Sequence, residues 1–564
     1  MKPHHFAFSV TASLSLALTA TAQETFRDIE GKFVGDRFGY SVANVGDVDG
    51  DLTPDWAIGA PFSDQNGSAS GSMTIYSGET GDEIMTQHGD SAGDRFGYSV
   101  AGGDVNGDGF GDVIVGAYAD DANGVDSGTV YVFSGANGLV LYAVSGVAAA
   151  DNFGFSVAFV PDTDGDGMGE VLAGAWVGDS GGINRGQAFL IDGDTGATLH
   201  TLGGENDYDF FGYSVAGLED LDGDGRGDLL VGAPGSGFNG PGAGSAYVHS
   251  GATGALLHTL RGDASGDGYG SAVAAAGDID LDGNCDLLVG APGSDLGMAN
   301  AGLARVHSGA TGSTLYDLTG DNVGDNLGVS VAGGFDVTED GVADLFAGAT
   351  AADPNGTNSG LVKVHSGSDG VLFATLEGKA EDGRFGASIA PGGDVNFDGY
   401  SEILVGAWGE DGGIGDFTGE THALTFGESQ VFSYNYCMSL ENSTGDYARI
   451  TYSGSNKVTL NDFSLGCNGA VGSTSGLFFY GPDEIQVPFG DGFRCIGGAI
   501  SRTAPVQTDF FGVVDRPIDF TNPPNASGEI TGGSTWKFQF WYRDTAAGGS
   551  GFNLSDALSV TFLP

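Results

Sequence analysis

Positive charge is what this chain has least of. Its 564 residues include 19 Lys and Arg against 75 Asp and Glu, a formal net charge of −56. Nucleic acids and anionic membranes are held by basic surface, so neither is an expected partner. Long apolar runs are also missing. Beyond Leu18 no stretch approaches the ~20 apolar residues that cross a bilayer, and no transmembrane segment is expected. No helical period is sustained after residue 24. Cysteines number four. Cys285 is expected to be unpaired, while Cys437, Cys467 and Cys495 allow one disulfide, with Cys467–Cys495 favoured. Catalytic signatures are absent as well: no Ser-His-Asp order, H-E-x-x-H, phosphate loop or zinc-type cysteine pair. No catalytic residue is therefore assigned, although abundant carboxylates leave the acid–base pair of a glycosidase open.

What the chain has is an acidic loop, D-x-[DN]-x-D-G-x-x-[DE], in seven copies. Four side-chain ligands are read from each at loop positions 1, 3, 5 and 9. They are Asp47, Asp49, Asp51 and Asp55; Asp104, Asn106, Asp108 and Asp112; Asp162, Asp164, Asp166 and Glu170. The fourth and fifth copies supply Asp220, Asp222, Asp224 and Asp228, then Asp278, Asp280, Asp282 and Asp286. The last two supply Asp336, Thr338, Asp340 and Asp344, then Asp394, Asn396, Asp398 and Glu402. Like charges so close repel unless a cation sits among them, and all-oxygen donors suit calcium. Up to seven calcium ions are expected, with the sixth loop the weakest because Thr338 replaces a carboxylate. An EF-hand would need a bidentate Glu at position 12 and a flanking helix. Position 12 here is apolar, Val231 in the fourth loop, so that reading fails.

The loops sit inside a larger repeat. Phe38-Gly39, Phe96-Gly97, Phe153-Gly154, Phe211-Gly212, Tyr269-Gly270, Leu327-Gly328 and Phe385-Gly386 recur about every 58 residues. In the fourth unit four segments have strand character: 213–216, 229–231, 246–249 and 256–260. Four strands repeated seven times predict an all-β fold, a seven-bladed β-propeller with calcium-binding loops. The seventh unit lacks its fourth strand, and the segment 25–31 supplies a stray one. Ring closure by that segment is expected, since it removes an open sheet edge. Histidines His249, His307 and His365 share one repeat position, and His200 and His258 another, which predicts blade packing rather than one active centre.

Outside the repeats, residues 1–22 read as a signal peptide, with Lys2, an apolar core Phe6–Leu18 and the small-residue site Ala20-Thr21-Ala22. Export, to the medium or the cell surface, is expected. The propeller is assigned to 23–426. Residues 427–564 lose the period and gain aromatic clusters at 431–434, 477–480 and 536–542, which predicts one C-terminal β-sandwich-like domain.

Phe-Gly, the acidic loop and Gly-Ala-Pro (Gly59-Ala60-Pro61, Gly232-Ala233-Pro234, Gly290-Ala291-Pro292), recurring in that order, resemble FG-GAP repeats. Such repeats build the propeller of integrin α subunits and of many exported bacterial proteins. Segments of the C-terminal region, such as 476–482 and 541–544, resemble a module attached to diverse exported bacterial proteins. The resemblance implies calcium loops on one face and ligand contacts on the opposite face, where connections such as Pro61–Gly71, Trp176–Gly186 and Trp408–Gly419 vary. Trp176, Arg185, Phe238 and Trp408 are candidate contacts there. The expected function is adhesion or recognition of an extracellular protein or carbohydrate. A polysaccharide hydrolase or lyase, or a purely structural surface component, are the alternatives.

Overall fold

The computed structural model describes residues 24–179, 181–338, 340–396, 400–411 and 417–426. Further on it describes 434–436, 442–444, 447–453, 463–489, 492–510, 512–520, 530–531, 534–545 and 551–561. The signal-peptide reading, Asp398, Cys437 and the cluster at 431–433 lie outside the described residues. Every regular element among the described residues is a β-strand.

Residues 24–426 form seven four-stranded antiparallel sheets. The fourth is built from Ser214–Leu218, Asp228–Ala233, Ser245–Ser250 and Leu256–Arg261 in that order, matching the four predicted segments. The second strand of each sheet is buried throughout, as in Asp228–Ala233, while fourth strands such as Glu83–His88 are half-exposed. The first strand of each sheet packs on the first strand of the next, and Ser388–Gly393 of the seventh packs on Ser41–Gly46 of the first. Apolar side chains accordingly gather between neighbouring sheets. One such cluster joins Val45, Ile75, Phe96 and Val115 of the first two sheets, and another joins Trp56, Ile58 and Tyr76 of the first to Leu404 and Ala423 of the seventh.

The seventh sheet runs Glu24–Glu30, Glu420–Thr425, Glu402–Ala407, Ser388–Gly393. The N-terminal strand thus supplies the outer strand that the seventh unit lacks. It pairs with Glu420–Thr425 through Thr25↔Leu424 and Asp28↔His422, with Ile29 buried in the interface to the first sheet.

Two glycines explain the motif pair. The Gly of each Gly-Ala step meets the backbone of the next unit's Phe-Gly step. A Cβ on Gly232 would lie 2.1 Å from the Gly270 carbonyl oxygen, and one on Gly406 would lie 2.0 Å from that of Gly39. Sheets approach backbone to backbone there, and no side chain fits. Gly232→Ala is expected to cost about 3 kcal/mol, the upper range for overpacking. Gly237→Ala, where the nearest atom is 3.8 Å away, should change stability by under ~0.5 kcal/mol. Urea unfolding of both variants checks this.

In the C-terminal part, strands Arg449–Ser453, Ser464–Asn468 and Val514–Pro517 form one sheet. Ser475–Gly481, Thr535–Arg543 and Phe552–Thr561 lie in a second. Ile450, Leu465 and Cys467 of the first share a core with Phe478, Tyr480, Phe538, Phe540 and Tyr542 of the second. These aromatic rings are buried and serve packing. The favoured Cys467–Cys495 pairing is not formed. Cys467 points into that core and its Sγ donates to the Asn468 carbonyl at 3.6 Å, whereas Cys495, on the separate hairpin strand Gly492–Gly497, is disulfide-bonded. Cys285 is a buried free thiol, its pKa pushed up to about 11 by burial.

Candidate metal centres and the opposite face

Each acidic loop connects the first two strands of its sheet, and the first six are wound by their own carboxylates. In the fourth loop Asp220 accepts hydrogen bonds from the Gly223 and Gly225 amides, both at 2.7 Å. Asp222 Oδ1 accepts from the Asp224 amide (3.1 Å) and Asp224 Oδ1 from the Arg226 amide (2.9 Å). These side-chain-to-backbone turns curl the loop so that its acidic groups converge.

Position nine differs from the rest because it is buried. Asp55, Asp112, Glu170, Asp228, Asp286, Asp344 and Glu402 are each at most 1% exposed. Asp228 accepts from the Leu221 amide (2.8 Å) through one oxygen and from the Gly251 amide (3.0 Å) through the other. It thereby ties the loop to the turn after the third strand. Asp55, Asp112, Asp286 and Asp344 repeat this pattern. None of Asp55, Asp112, Glu170, Asp228, Asp286 and Asp344 forms an ion pair among the described residues. Burial pushes Asp55 and Glu170 up to about 7 and Asp112, Asp228, Asp286 and Asp344 up to about 6.

One predicted ligand set comes together whole, and two more in three of their four members, without Asp51 and Asp224. Oxygens of Asp162, Asp164, Asp166 and Glu170 lie within 4.8 Å of one another, as do those of Asp47, Asp49 and Asp55, and of Asp220, Asp222 and Asp228. A buried carboxylate with no cationic side chain, facing further carboxylates through oxygen alone, fits a hard divalent cation such as calcium. The loops are not equivalent. Arg226 Nη1 reaches Asp162 Oδ2 (2.9 Å), so the fourth loop lends a cation to the third. In the sixth, Asp340 Oδ2 accepts from Ser366 (3.0 Å) and Ser368 (2.6 Å), which ties position five to the turn after the third strand. In the seventh, the Asn396 amide donates to Glu402 Oε1 (2.6 Å).

The histidines are structural where the repeat predicts it. His249, His307 and His365 donate through Nδ1 to the Gly254, Gly312 and Gly370 carbonyls at 3.0–3.1 Å. His200 and His258 donate through Nε2 to the next unit, at Ala252 and Gly309.

First strands enter at the Phe-Gly step and leave into the acidic loop, so Phe-Gly and Gly-Ala steps lie at the opposite end from the carboxylates. There the residue after Phe-Gly is Tyr40, Tyr98, Phe155 and Tyr213 in the first four units, but Ser271, Val329 and Ala387 in the last three. The four rings form a chain with centroids 4.8, 4.9 and 5.1 Å apart. Trp408 and Phe62 join it at Tyr40, and Trp176 joins at Phe155. Where the rings stop, an axial cavity of about 280 Å³ opens, lined by Phe155, Tyr213, Ser271, Val329, Ala387 and Ser388 among others.

The residue before Phe-Gly has positive φ in every unit, a conformation suited to Gly or Asn. Gly268, Asn152 and Asn326 occupy it, yet so do Phe210 (φ 55°), Arg37 (φ 56°), Arg95 (φ 61°) and Arg384 (φ 58°). Each such arginine costs about 1 kcal/mol or more in backbone strain. Arg37 lies 4.2 Å from the Phe62 ring centroid and 4.7 Å from that of Trp408, and Arg95 lies 4.1 Å from Phe62. Of the predicted contacts, Trp176 and Trp408 belong to this crescent. Arg185 is held by Asp207 (3.1 Å), and exposed Phe238 carries Arg261 at 3.6 Å. Tyr40, Tyr98, Arg37 and Arg95 were not singled out by the sequence. Their signal was a departure from the repeat at the positions flanking Phe-Gly.

These features coincide with known proteins. The FG-GAP repeat family matches at residues 96–133 and 211–249, so the chain carries FG-GAP repeats. It is also similar to integrin α subunits. It is 33% identical over 212 residues to integrin alpha-5 of Xenopus laevis and 34% over 222 residues to integrin alpha-IIb of Homo sapiens. To integrin alpha-V of Gallus gallus it is 32% identical over 215 residues. Each match takes in 35% of this chain and 20% of the relative, so the chain spans about a fifth of those proteins.

Proposed function

We propose that residues 23–426 are a seven-bladed propeller of an exported protein, held by calcium at its acidic loops, that recognises a ligand in adhesion or attachment. In this reading residues 1–22 are removed on export and residues 427–564 form an accessory β-sandwich-like module. Positions 1, 3, 5 and 9 of each loop are the calcium ligands, up to seven ions in all, and the metal is structural. The ligand, an extracellular protein or carbohydrate, meets the Phe-Gly face. The observation that carries the reading is the division of labour between the two ends of the first strands. One end holds the buried position-nine carboxylates, six of them without an ion pair among the described residues, and the other adds strained arginines and partly exposed aromatic rings to its own buried Asp36, Asp94 and Asp209. The likeness to integrin α subunits agrees with recognition rather than turnover.

Calcium-loaded protein offered an immobilised panel of polysaccharides and extracellular proteins should be retained and should release no product. Release of oligosaccharides would instead make it a lyase or hydrolase. Passage through the whole panel without retention would leave only a structural role.

A further inference from the structure

Resting on that reading, we infer that the Phe-Gly face binds an acidic saccharide, with Arg37, Arg95 and Arg384 receiving its carboxylate or sulfate groups and the aromatic crescent stacking on its sugar rings. The three arginines occupy one repeat position in three consecutive units around the ring, the seventh, first and second. Few cations exist in this chain, and Arg37 and Arg95 form no ion pair among the described residues. Arg384 has only a 3.9 Å approach to Asp382. Nor are their donors otherwise spent: Arg95 Nη1, Arg384 Nε and the nearby Trp176 Nε1 are buried without an acceptor.

Among the described residues no carboxylate pairs with Arg37 or Arg95, although buried Asp36 and Asp94 precede them in the chain. Arg37 and Arg95 lie over the Phe62 ring and remain partly exposed, and a guanidinium so placed can grip a carboxylate or sulfate in two parallel bonds. The remaining surface is a curved row of half-buried rings, Trp408, Tyr40, Tyr98, Phe155 and Tyr213, leading to the axial cavity. A chain of flat sugar rings bearing periodic negative charges meets both features at once. An acidic peptide would satisfy the arginines but offers few apolar ring faces to the crescent. A neutral glycan would satisfy the crescent but leave the arginines unpaired.

Calorimetry with calcium-loaded full-length protein distinguishes these. The probes are a galacturonate hexasaccharide, a sulfated dextran oligomer, maltohexaose and a polyglutamate peptide. Wild type should bind one of the acidic saccharides, more weakly as salt rises, and the two acidic arms separate carboxylate from sulfate. Arg37→Asn and Arg95→Asn should each weaken that binding by at least ~10-fold, the loss of a charge-assisted bidentate contact. Neither should lower the melting temperature, because Asn152 and Asn326 already hold the same backbone shape elsewhere in the ring. Arg37→Lys should recover little, since an ammonium lacks the fork. Equal affinity for maltohexaose, preference for polyglutamate, or unchanged binding by both Asn variants overturns the inference. If wild type binds another ligand of the panel but no acidic saccharide, this inference falls and the recognition reading stands. If it binds nothing, both fall.

Discussion

Deleting residues 24–30 should lower the melting temperature by at least ~10 °C and make the protein prone to aggregate. The strand is distant in sequence from its partners, yet it completes the seventh sheet along Glu420–Thr425. Its loss removes Ile29 from the interface with the first sheet, about 1.5–3 kcal/mol by itself. It also removes the Arg27 guanidinium from the Gly78 carbonyl (3.0 Å) and leaves an open edge that invites pairing with other chains. The same strand carries an ionic clasp. His422, wholly buried, contacts Asp28 at 2.6 Å and Glu410 at 3.1 Å, and Lys379 reaches Asp28 at 2.7 Å. Burial would lower the His422 pKa, but its hydrogen bonds to Asp28 and Glu410 outweigh that and raise it to about 9. The His422 hydrogen bond, despite opposing burial and with help from Lys379, lowers Asp28 to about 2.

The signs follow from linkage. The His422 contribution is complete below its unfolded value of 6.5 and is lost as pH rises through about 9. That of Asp28 is complete above 3.8 and is lost as pH falls through about 2. The clasp therefore holds best between roughly pH 4 and 6.5. His422→Ala, which leaves Glu410 and Asp28 without their shared partner, should abolish the alkaline limb in thermal scans across pH while sparing the sheets.

Stripping calcium should have the larger effect. A single site filled at a hundred times its dissociation constant stabilises by about 2.7 kcal/mol, and several sites add. Chelation is expected to drop the melting temperature by more than ~15 °C at pH 8, read by circular dichroism. At lower pH the calcium-free protein should recover part of the loss. Asp55, Asp112, Glu170, Asp228, Asp286 and Asp344 have folded values of about 6 to 7, above unfolded values of 3.8 for Asp and 4.5 for Glu. A raised carboxyl contributes stability that is present below its unfolded value and is lost as pH rises through the folded one. Calcium-free protein should thus be more stable at pH 5 than at pH 8, and added calcium should flatten that difference.

Much of the architecture was legible in the sequence because the repeat averages out local ambiguity. The strands of the fourth unit fell within a residue or two of their predicted places, and the segment at 25–31 was recognisable as a strand without a sheet. The acidic loops were legible for the same reason. Their inequality was only partly so: Thr338 signalled a weaker sixth loop, but the pull of Ser366 and Ser368 on Asp340 needed the third strand's end in place. The crescent was hidden by the repeat itself. Tyr40, Tyr98, Phe155 and Tyr213 stand at a position where other units carry Ser, Val or Ala, and only ring closure brings such departures side by side. The disulfide reading failed because pairing depends on which sheet each cysteine joins, and Cys467 turns into a shared apolar core.

Calcium uptake by the full chain after chelation tests the central claim most directly, by isothermal calorimetry at neutral pH. Binding of several ions, up to seven, is expected, with the apparent number reduced by one in Asp220→Asn/Asp228→Asn. A titration with no heat of binding and no change in melting temperature would contradict it.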